Sequence, residues 1–130
     1  MNDPIAWKLL IHLAKRCRDE ARWRRLWADT KYADNAYSSW LESWNTYQAS
    51  KQIYFDMQGN GNVLREILLN LARRCRLSAR CRRRSKGTVF YDLKRSHFIE
   101  SWNALQTAKR LLNEELNEST RGSTTGAGLP

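Results

Sequence analysis

The chain has 130 residues, with 23 Lys and Arg against 13 Asp and Glu, which gives a formal net charge of +10. This length suits one small folded domain, and the charge points to a polyanionic partner, either nucleic acid or an anionic membrane surface. No apolar run approaches the roughly 20 residues of a membrane-spanning helix, and the first residues lack a basic-then-apolar signal layout, so we expect neither feature.

The sequence repeats itself at a constant offset of 58 residues. Residues 10–57 align with residues 68–115 without a gap, and 19 of the 48 pairs are identical. For example, the segment Leu13–Arg18 returns as Leu71–Arg76 with one change. Such self-similarity is typical of two copies of one supersecondary unit. Residues that are identical in both copies are called retained below, and aligned positions are called repeat equivalents.

The first copy predicts two helices. Asp3 followed by Pro4 is typical of a helix start, because an acidic N-cap and a proline in the first turn are both favoured there. Apolar residues then recur at three- and four-residue steps to about Trp27, and a second periodic run covers residues 33–54. Residues 58–62, which are rich in Gly and Asn, predict a turn between the copies, since both residue types tolerate left-handed backbone conformations.

The second copy predicts the same plan. Helix three covers residues 64–79, the segment Ser85-Lys86-Gly87 breaks it, and helix four covers residues 93–116. Residues 119–130 carry almost no apolar side chains, which predicts a disordered tail.

These elements predict an all-α fold. A helical hairpin cannot bury its apolar stripe alone, whereas two hairpins can close a shared core. We therefore expect an internally duplicated helical hairpin, repeat 1 over residues 1–58 and repeat 2 over residues 63–118, which together form a four-helix bundle with pseudo-twofold symmetry. Packing of each hairpin against another chain, as in a homo-oligomer, is the alternative.

The cysteines predict a reducing compartment, and we expect the protein in the cytoplasm. Cys17 and Cys75 are repeat equivalents on the apolar stripe, so they are expected as core thiols, whereas Cys81 is unmatched. Zinc is not expected, because Cys75 and Cys81 are six residues apart and neither His12 nor His97 stands at finger spacing. We expect no metal and no cofactor.

The positive charge follows the repeat. The first helical segment of each copy is basic, with net charges of +3 over residues 1–29 and +8 over residues 63–87, whereas residues 30–62 and 88–118 each carry −1. Retained arginines at spacings of four and three share one face of these helices. We call this set the arginine ridge; its members are Arg18, Arg22, Arg25, Arg76, Arg80 and Arg83.

The ridge predicts contacts with a phosphate backbone, of RNA or DNA. Guanidinium is planar, stays charged and binds phosphate oxygens in a bidentate manner. The part of the ridge with the highest charge density, residues 80–86, also includes Arg82, Arg84 and Lys86. The competing interpretation is a solvated basic face, or arginines paired with acids of the neighbouring helix. Retention in both copies favours nucleic acid.

The second helices carry a retained polar stripe that includes Asp34/Asp92 and Glu42/Glu100. One interpretation is that these carboxylates neutralise arginines of the partner helix in the same hairpin. The other is that retained Ser, Asn and Gln side chains of the stripe contact sugar, phosphate or base edges. Catalysis is not expected, because two carboxylates eight residues apart without a retained histidine define no reaction.

Tryptophans fall into two groups. Trp44 and Trp102 are retained and stand at helical spacing from Trp40 and Phe98, so we expect them as core anchors, together with the two core thiols. Trp23 and Trp27 have no aromatic equivalents and lie among arginines. They are expected either to stack on unpaired bases or to pack the end of the hairpin or an oligomer contact.

The sequence thus predicts a small, basic, non-catalytic nucleic-acid-binding protein. The alternative is a helical protein-interaction module, an adaptor or inhibitor whose basic face meets an acidic partner protein. Membrane association is not expected, because the basic helices lack a broad apolar face that could insert.

Overall fold

A computed structural model describes residues 4–57 and 62–128, with side chains for residues 4–57 and 62–118. The described part of the chain is all-helical and contains no strand. Its four helices pack against one another, as predicted. They are α1 (Pro4–Leu26), α2 (Ala33–Asp56), α3 (Val63–Arg84) and α4 (Tyr91–Gly128).

The starts of α1 and α3 agree with the local sequence signals where these are described. Pro4 begins α1, whereas the predicted cap Asp3 lies outside the described residues. The Asn62 side chain accepts a hydrogen bond from the Arg65 backbone amide at 3.0 Å and so caps α3. Residues 58–61 of the turn predicted at 58–62 also lie outside the described residues. Helix α4 continues to Gly128, twelve residues beyond the predicted end at residue 116. The side chains of residues 119–128 and all of residues 129–130 lie outside the described part, and the disordered tail remains a prediction.

The turns α1–α2 and α3–α4 use one retained threonine in the same way. Each hydroxyl donates to the carbonyl three residues earlier, at 2.8 Å for Thr30 and 2.7 Å for Thr88. Each also accepts from the amide two residues later, at 3.1 and 3.2 Å. Gly87 adopts φ +85° in the second turn, a conformation that glycine adopts at no steric cost. Both threonines thus have a structural role that explains their retention.

Helices α2 and α4 occupy the centre, with α1 against α2 and α3 against α4. The outer helices contribute large aliphatic side chains to the core, including Leu9, Leu13, Ile67 and Leu71, all fully buried. The inner helices contribute small buried residues, which allow close packing; these are Ser43, Thr46, Ser50, Ser101, Ala104 and Ala108.

Three buried hydroxyl groups of the inner helices find an acceptor in the preceding turn, whereas the buried Ser50 hydroxyl has no hydrogen-bond partner among the described residues. Ser43 donates to the Trp40 carbonyl at 2.6 Å, Thr46 to the Ser43 carbonyl at 3.0 Å, and Ser101 to the Phe98 carbonyl at 2.8 Å. A serine or threonine inside a helix can use the preceding turn as acceptor and so enter a core without an unpaired polar group.

The expectation that Trp44 and Trp102 anchor the core is wrong. Their side chains are 44% and 48% exposed, because the preceding residues, Ser43 and Ser101, turn inward and place the indoles about 100° further around the helix.

The expected core thiols do lie inside. Cys17 and Cys75 are buried free cysteines, whereas Cys81 is exposed. Burial raises the pKa of Cys17 and of Cys75, and hydrogen bonds to Ser43 and Ser101, respectively, oppose that rise.

Candidate nucleic-acid interface

The arginine ridge faces solvent along its whole length. The positions that point inward on α1 and α3 are occupied by apolar residues such as Leu13 and Leu71, which turns the ridge positions outward. All six ridge arginines, and also Arg84 and Lys86, are exposed. Among the residues with described side chains, none of these eight forms an ion pair within 4.0 Å. Their charges are therefore available to an external anion.

Two other retained arginines are paired. Arg16 of α1 donates to Glu100 of α4 through Nε at 2.9 Å and Nη2 at 2.7 Å. Arg74 of α3 donates to Glu42 of α2 through the same atoms, at 2.9 Å each. These bidentate pairs are of the strong, charge-assisted kind, and both carboxylates are buried.

The pairing differs from the expectation in one respect. The carboxylates of Glu42 and Glu100 do neutralise arginines, but each arginine comes from the other hairpin, so the pairs join the two halves of the chain. Asp34 and Asp92 form no ion pair among the described side chains and are exposed. Glu42 and Glu100 therefore hold the hairpins together, because removal of one partner would leave a buried charge uncompensated.

The surroundings of the two carboxylates have diverged. Burial by itself raises the pKa of Glu42, but hydrogen bonds from His97, whose Nε2 lies at 2.5 Å, and from Arg74 hold the pKa below its ordinary value. Burial likewise raises the pKa of Glu100, here to about 7, because Arg16 opposes the rise only in part and Glu20 adds to it. Glu42 thus accepts hydrogen bonds from two residues, His97 and Arg74, whereas its repeat equivalent Glu100 has Arg16 as its donor and lies beside a second acid, Glu20.

The retained arginines Arg24 and Arg82 pack on aromatic rings. The Arg24 guanidinium carbon lies 4.7 and 4.5 Å from the ring centroids of Tyr37 and Trp40. That of Arg82 lies 5.1 Å from the Phe98 centroid, and its Nε donates to the Tyr91 hydroxyl at 3.3 Å. Such cation–π contacts stabilise the packing of the two helices of a hairpin against each other. Arg82, predicted for phosphate contact, is thus partly buried in hairpin packing.

Exposed aromatic rings accompany the arginines. Trp23 and Trp27 are 51% and 37% exposed and stack at 6.4 Å between ring centroids, and Tyr32 meets Trp27 edge-on at 5.4 Å. Trp23 lies near the end of α1 and Trp27 directly after it, and stacking of these two side chains on unpaired bases remains a prediction.

Sequence reasoning missed the exposure of Trp44 and Trp102. Trp44 stacks on Trp40 at 6.1 Å, and Trp102 lies at 6.4 Å from Phe98. Retention alone does not distinguish a core residue from a surface one. The usable signal was the retained serine before each tryptophan, since a small residue on the inner stripe displaces its large neighbour outward.

Two other kinds of site are not found in the described part of the chain. Among the described residues, no three His, Cys, Asp or Glu side chains lie close enough together to hold a metal ion, and no described helix is long and apolar enough to cross a membrane. No protein-family model, no curated protein and no solved structure matches the chain.

Proposed function

We propose that this protein is a non-catalytic nucleic-acid-binding protein that contacts the phosphate backbone through its arginine ridge, Arg84 and Lys86. The observation that carries the proposal is the contrast between two classes of retained arginine. Arg16 and Arg74 are paired with buried carboxylates, whereas the ridge arginines are exposed and lack ion pairs among the described side chains. A retained row of cations without an internal role is the pattern expected of a phosphate-binding surface.

We also infer that the fold is a duplicated hairpin with pseudo-twofold symmetry. Three features support it: the reciprocal ion pairs, the matching threonine bonds in both turns, and the equivalent contacts of Cys17 with Ser43 and of Cys75 with Ser101. In this arrangement α1 and α3, which contact each other least, present two separate basic surfaces. A duplex or a folded RNA can meet both surfaces.

A gel-shift panel of single- and double-stranded DNA and RNA at low salt tests the proposal. The key variant is Arg76→Glu/Arg80→Glu/Arg83→Glu, because α3 lies in the segment of charge +8. The matched control is Lys51→Glu/Lys109→Glu/Arg110→Glu, which makes the same charge change at exposed residues outside the ridge.

We expect the ridge variant to lose at least about tenfold in affinity and the control to lose much less, since local phosphate contacts and not net charge set the affinity. Absence of binding by the wild type to all four nucleic acids would overturn the proposal. Equal losses in the two variants would show that the ridge is not the site.

The second candidate is a helical interaction module for an acidic partner protein. It is favoured by an exposed apolar groove on the α1–α2 face, of about 190 Å³, lined by Trp7, Ile11, Tyr47 and Phe55 among others. Exposed apolar surface of this kind often marks a protein contact. In a pull-down, Trp7→Ala and Phe55→Ala should release such a partner, whereas nucleic-acid binding should not change.

A further inference from the structure

A cleft of about 470 Å³ opens between α2, α3 and the start of α4, at the carboxyl-terminal half of the basic helix α3. Its walls are mainly apolar and aromatic, with Tyr37 from α2, Leu77 and Cys81 from α3, Phe90 from the turn, and His97 from α4. Clefts of this size and character are the usual setting for small planar ligands.

The same crevice occurs at equivalent positions of the first repeat, where it has about half the volume, 250 Å³. There Trp23 and Tyr32 stand at the positions of Cys81 and Phe90, and Trp27 joins the wall from the position of Ser85. The first repeat thus has the indole rings of Trp23 and Trp27 where the second repeat has only the Cys81 thiol and the Ser85 hydroxyl. The internal comparison indicates the shape that the larger cleft accepts: a planar, bicyclic aromatic ring.

Charge around the larger cleft points to the source of that ring. Arg84 follows Leu77 by seven residues and Cys81 by three, which places it beside the cleft-lining face of α3, and Arg80, three residues after Leu77, lies further around the helix at the border with the ridge. Both are exposed and lack ion pairs among the described side chains. Lys94 lies on the wall and adds a third cation. An aromatic slot with cations at its rim matches a nucleotide, whose base stacks while its phosphates bind the cations.

Two further wall groups fit this assignment. Asp34 is exposed and unpaired among the described side chains, so its carboxylate can accept hydrogen bonds from the N–H groups of a base edge. Arg74 also lines the cleft, but its charge is matched by Glu42, so it fixes the wall and leaves phosphate binding to the rim.

We propose that this cleft binds one unpaired purine base of a single-stranded segment, with the adjoining phosphates on Arg80 and Arg84. The assignment rests on the proposed function, because the base would belong to the same nucleic acid whose phosphates bind the arginine ridge. It accounts for the divergence of the repeats: one crevice is narrowed by the chain's own tryptophans, and the other is left open for a base.

The test fills the cleft with the residue that the first repeat uses. Cys81→Trp should lower the affinity for a short oligoadenylate by roughly 5- to 100-fold, the range for loss of one stacked base. The slope of affinity against salt should not change, because no charge is altered. Leu116→Trp, which adds an indole at an exposed position of α4 outside the cleft, is the matched control and should bind like the wild type. Circular dichroism and urea unfolding verify that both variants are folded.

A second readout works on the wild-type protein and needs no variant. An abasic strand of the same length retains the phosphates but offers no base. We expect it to bind less tightly than oligoadenylate, and we expect oligoadenylate, but not the abasic strand, to protect the exposed Cys81 thiol from alkylation.

The two proposals fail differently. The cleft assignment is overturned if the abasic strand binds as tightly as oligoadenylate and protects the Cys81 thiol equally well, and if Cys81→Trp does not change the affinity for oligoadenylate. The proposal that the ridge binds phosphates would then still stand. If neither strand binds, both proposals fall. If Cys81→Trp releases an acidic protein from a pull-down but leaves oligoadenylate affinity unchanged, the cleft holds a protein side chain and the base assignment is wrong.

Discussion

Burial of Glu100 gives the stability of the protein a pH dependence, to which the neighbouring Glu20 adds. In the folded protein the pKa of Glu100 is about 7, against an ordinary value of 4.5, so the folded state binds the proton more tightly than the unfolded state. Its contribution to stability is therefore complete below pH 4.5 and is lost as the pH rises through about 7. At about 1.4 kcal/mol per pKa unit, the loss is about 3 kcal/mol.

The perturbation is Glu20→Gln, which removes the neighbouring acid but keeps the side-chain shape. Because Glu20 raises the pKa of Glu100, the variant should lose less stability than the wild type between pH 5 and pH 8. We expect a gain on the order of 1 kcal/mol at pH 8, the equivalent of roughly one pKa unit. The assay is urea unfolding followed by far-ultraviolet circular dichroism at both pH values.

Glu66→Gln is the matched control, since it makes the same change at an exposed acid on α3 that is not among the groups shifting the pKa of Glu100. It should retain the wild-type pH dependence. Glu42 does not interfere, because its pKa is lowered; its contribution is complete above the ordinary carboxylate range and is lost only at more acidic pH. An equal loss of stability between pH 5 and pH 8 in the wild type and Glu20→Gln would refute the reasoning.

Two further predictions concern burial. In the native protein a thiol reagent should label Cys81 rapidly and leave Cys17 and Cys75 unlabelled until urea is added, since the latter two are buried and burial raises their pKa; three thiols reacting at one rate would contradict the fold. Trp44→Ala and Trp102→Ala should each lower the free energy of unfolding, measured in urea, by about 1–2 kcal/mol, because these side chains are half exposed. A decrease of about 3–5 kcal/mol is typical of a buried tryptophan and would show that these side chains belong to the core.

The sequence predicted the four helices, and their first residues to within two positions, because the turns carry local signals, whereas α4 continues twelve residues beyond its predicted end. The retained threonines make the same bonds in both turns, and Asn62 caps α3 where the periodic pattern resumes. The inward faces of α1 and α3 were also predictable, since their leucines and cysteines contrast with the surrounding arginines in hydropathy.

The inward faces of α2 and α4 were not predictable in the same way. At the middle of both helices their buried stripe is made of Ser, Thr and Ala together with Glu42 and Glu100. These residues carry little apolar signal, while the half-exposed tryptophans dominate the periodicity. The aromatic pattern therefore indicated the wrong face. Only the close packing of the two inner helices, a tertiary property, determines that small residues turn inward.

The candidate site was predictable where it depends on one helix and not where it depends on several. The ridge arginines share a face by helical spacing alone, and the structure places them all in solvent. The choice of Glu100 for Arg16 and of Glu42 for Arg74 depends on how the hairpins meet. The large cleft combines residues of α2, α3 and α4 and has no signature in any single segment.

The most direct test of the central claim is the dependence of nucleic-acid affinity on salt, measured by fluorescence anisotropy. For the wild type we expect a steep linear fall of log K with log salt. For duplex DNA the slope should become shallower by up to about 3 in Arg76→Ala/Arg80→Ala/Arg83→Ala, at about 0.9 for each phosphate that the variant no longer neutralises. A slope identical in wild type and variant would contradict the claim that the arginine ridge holds the phosphate backbone.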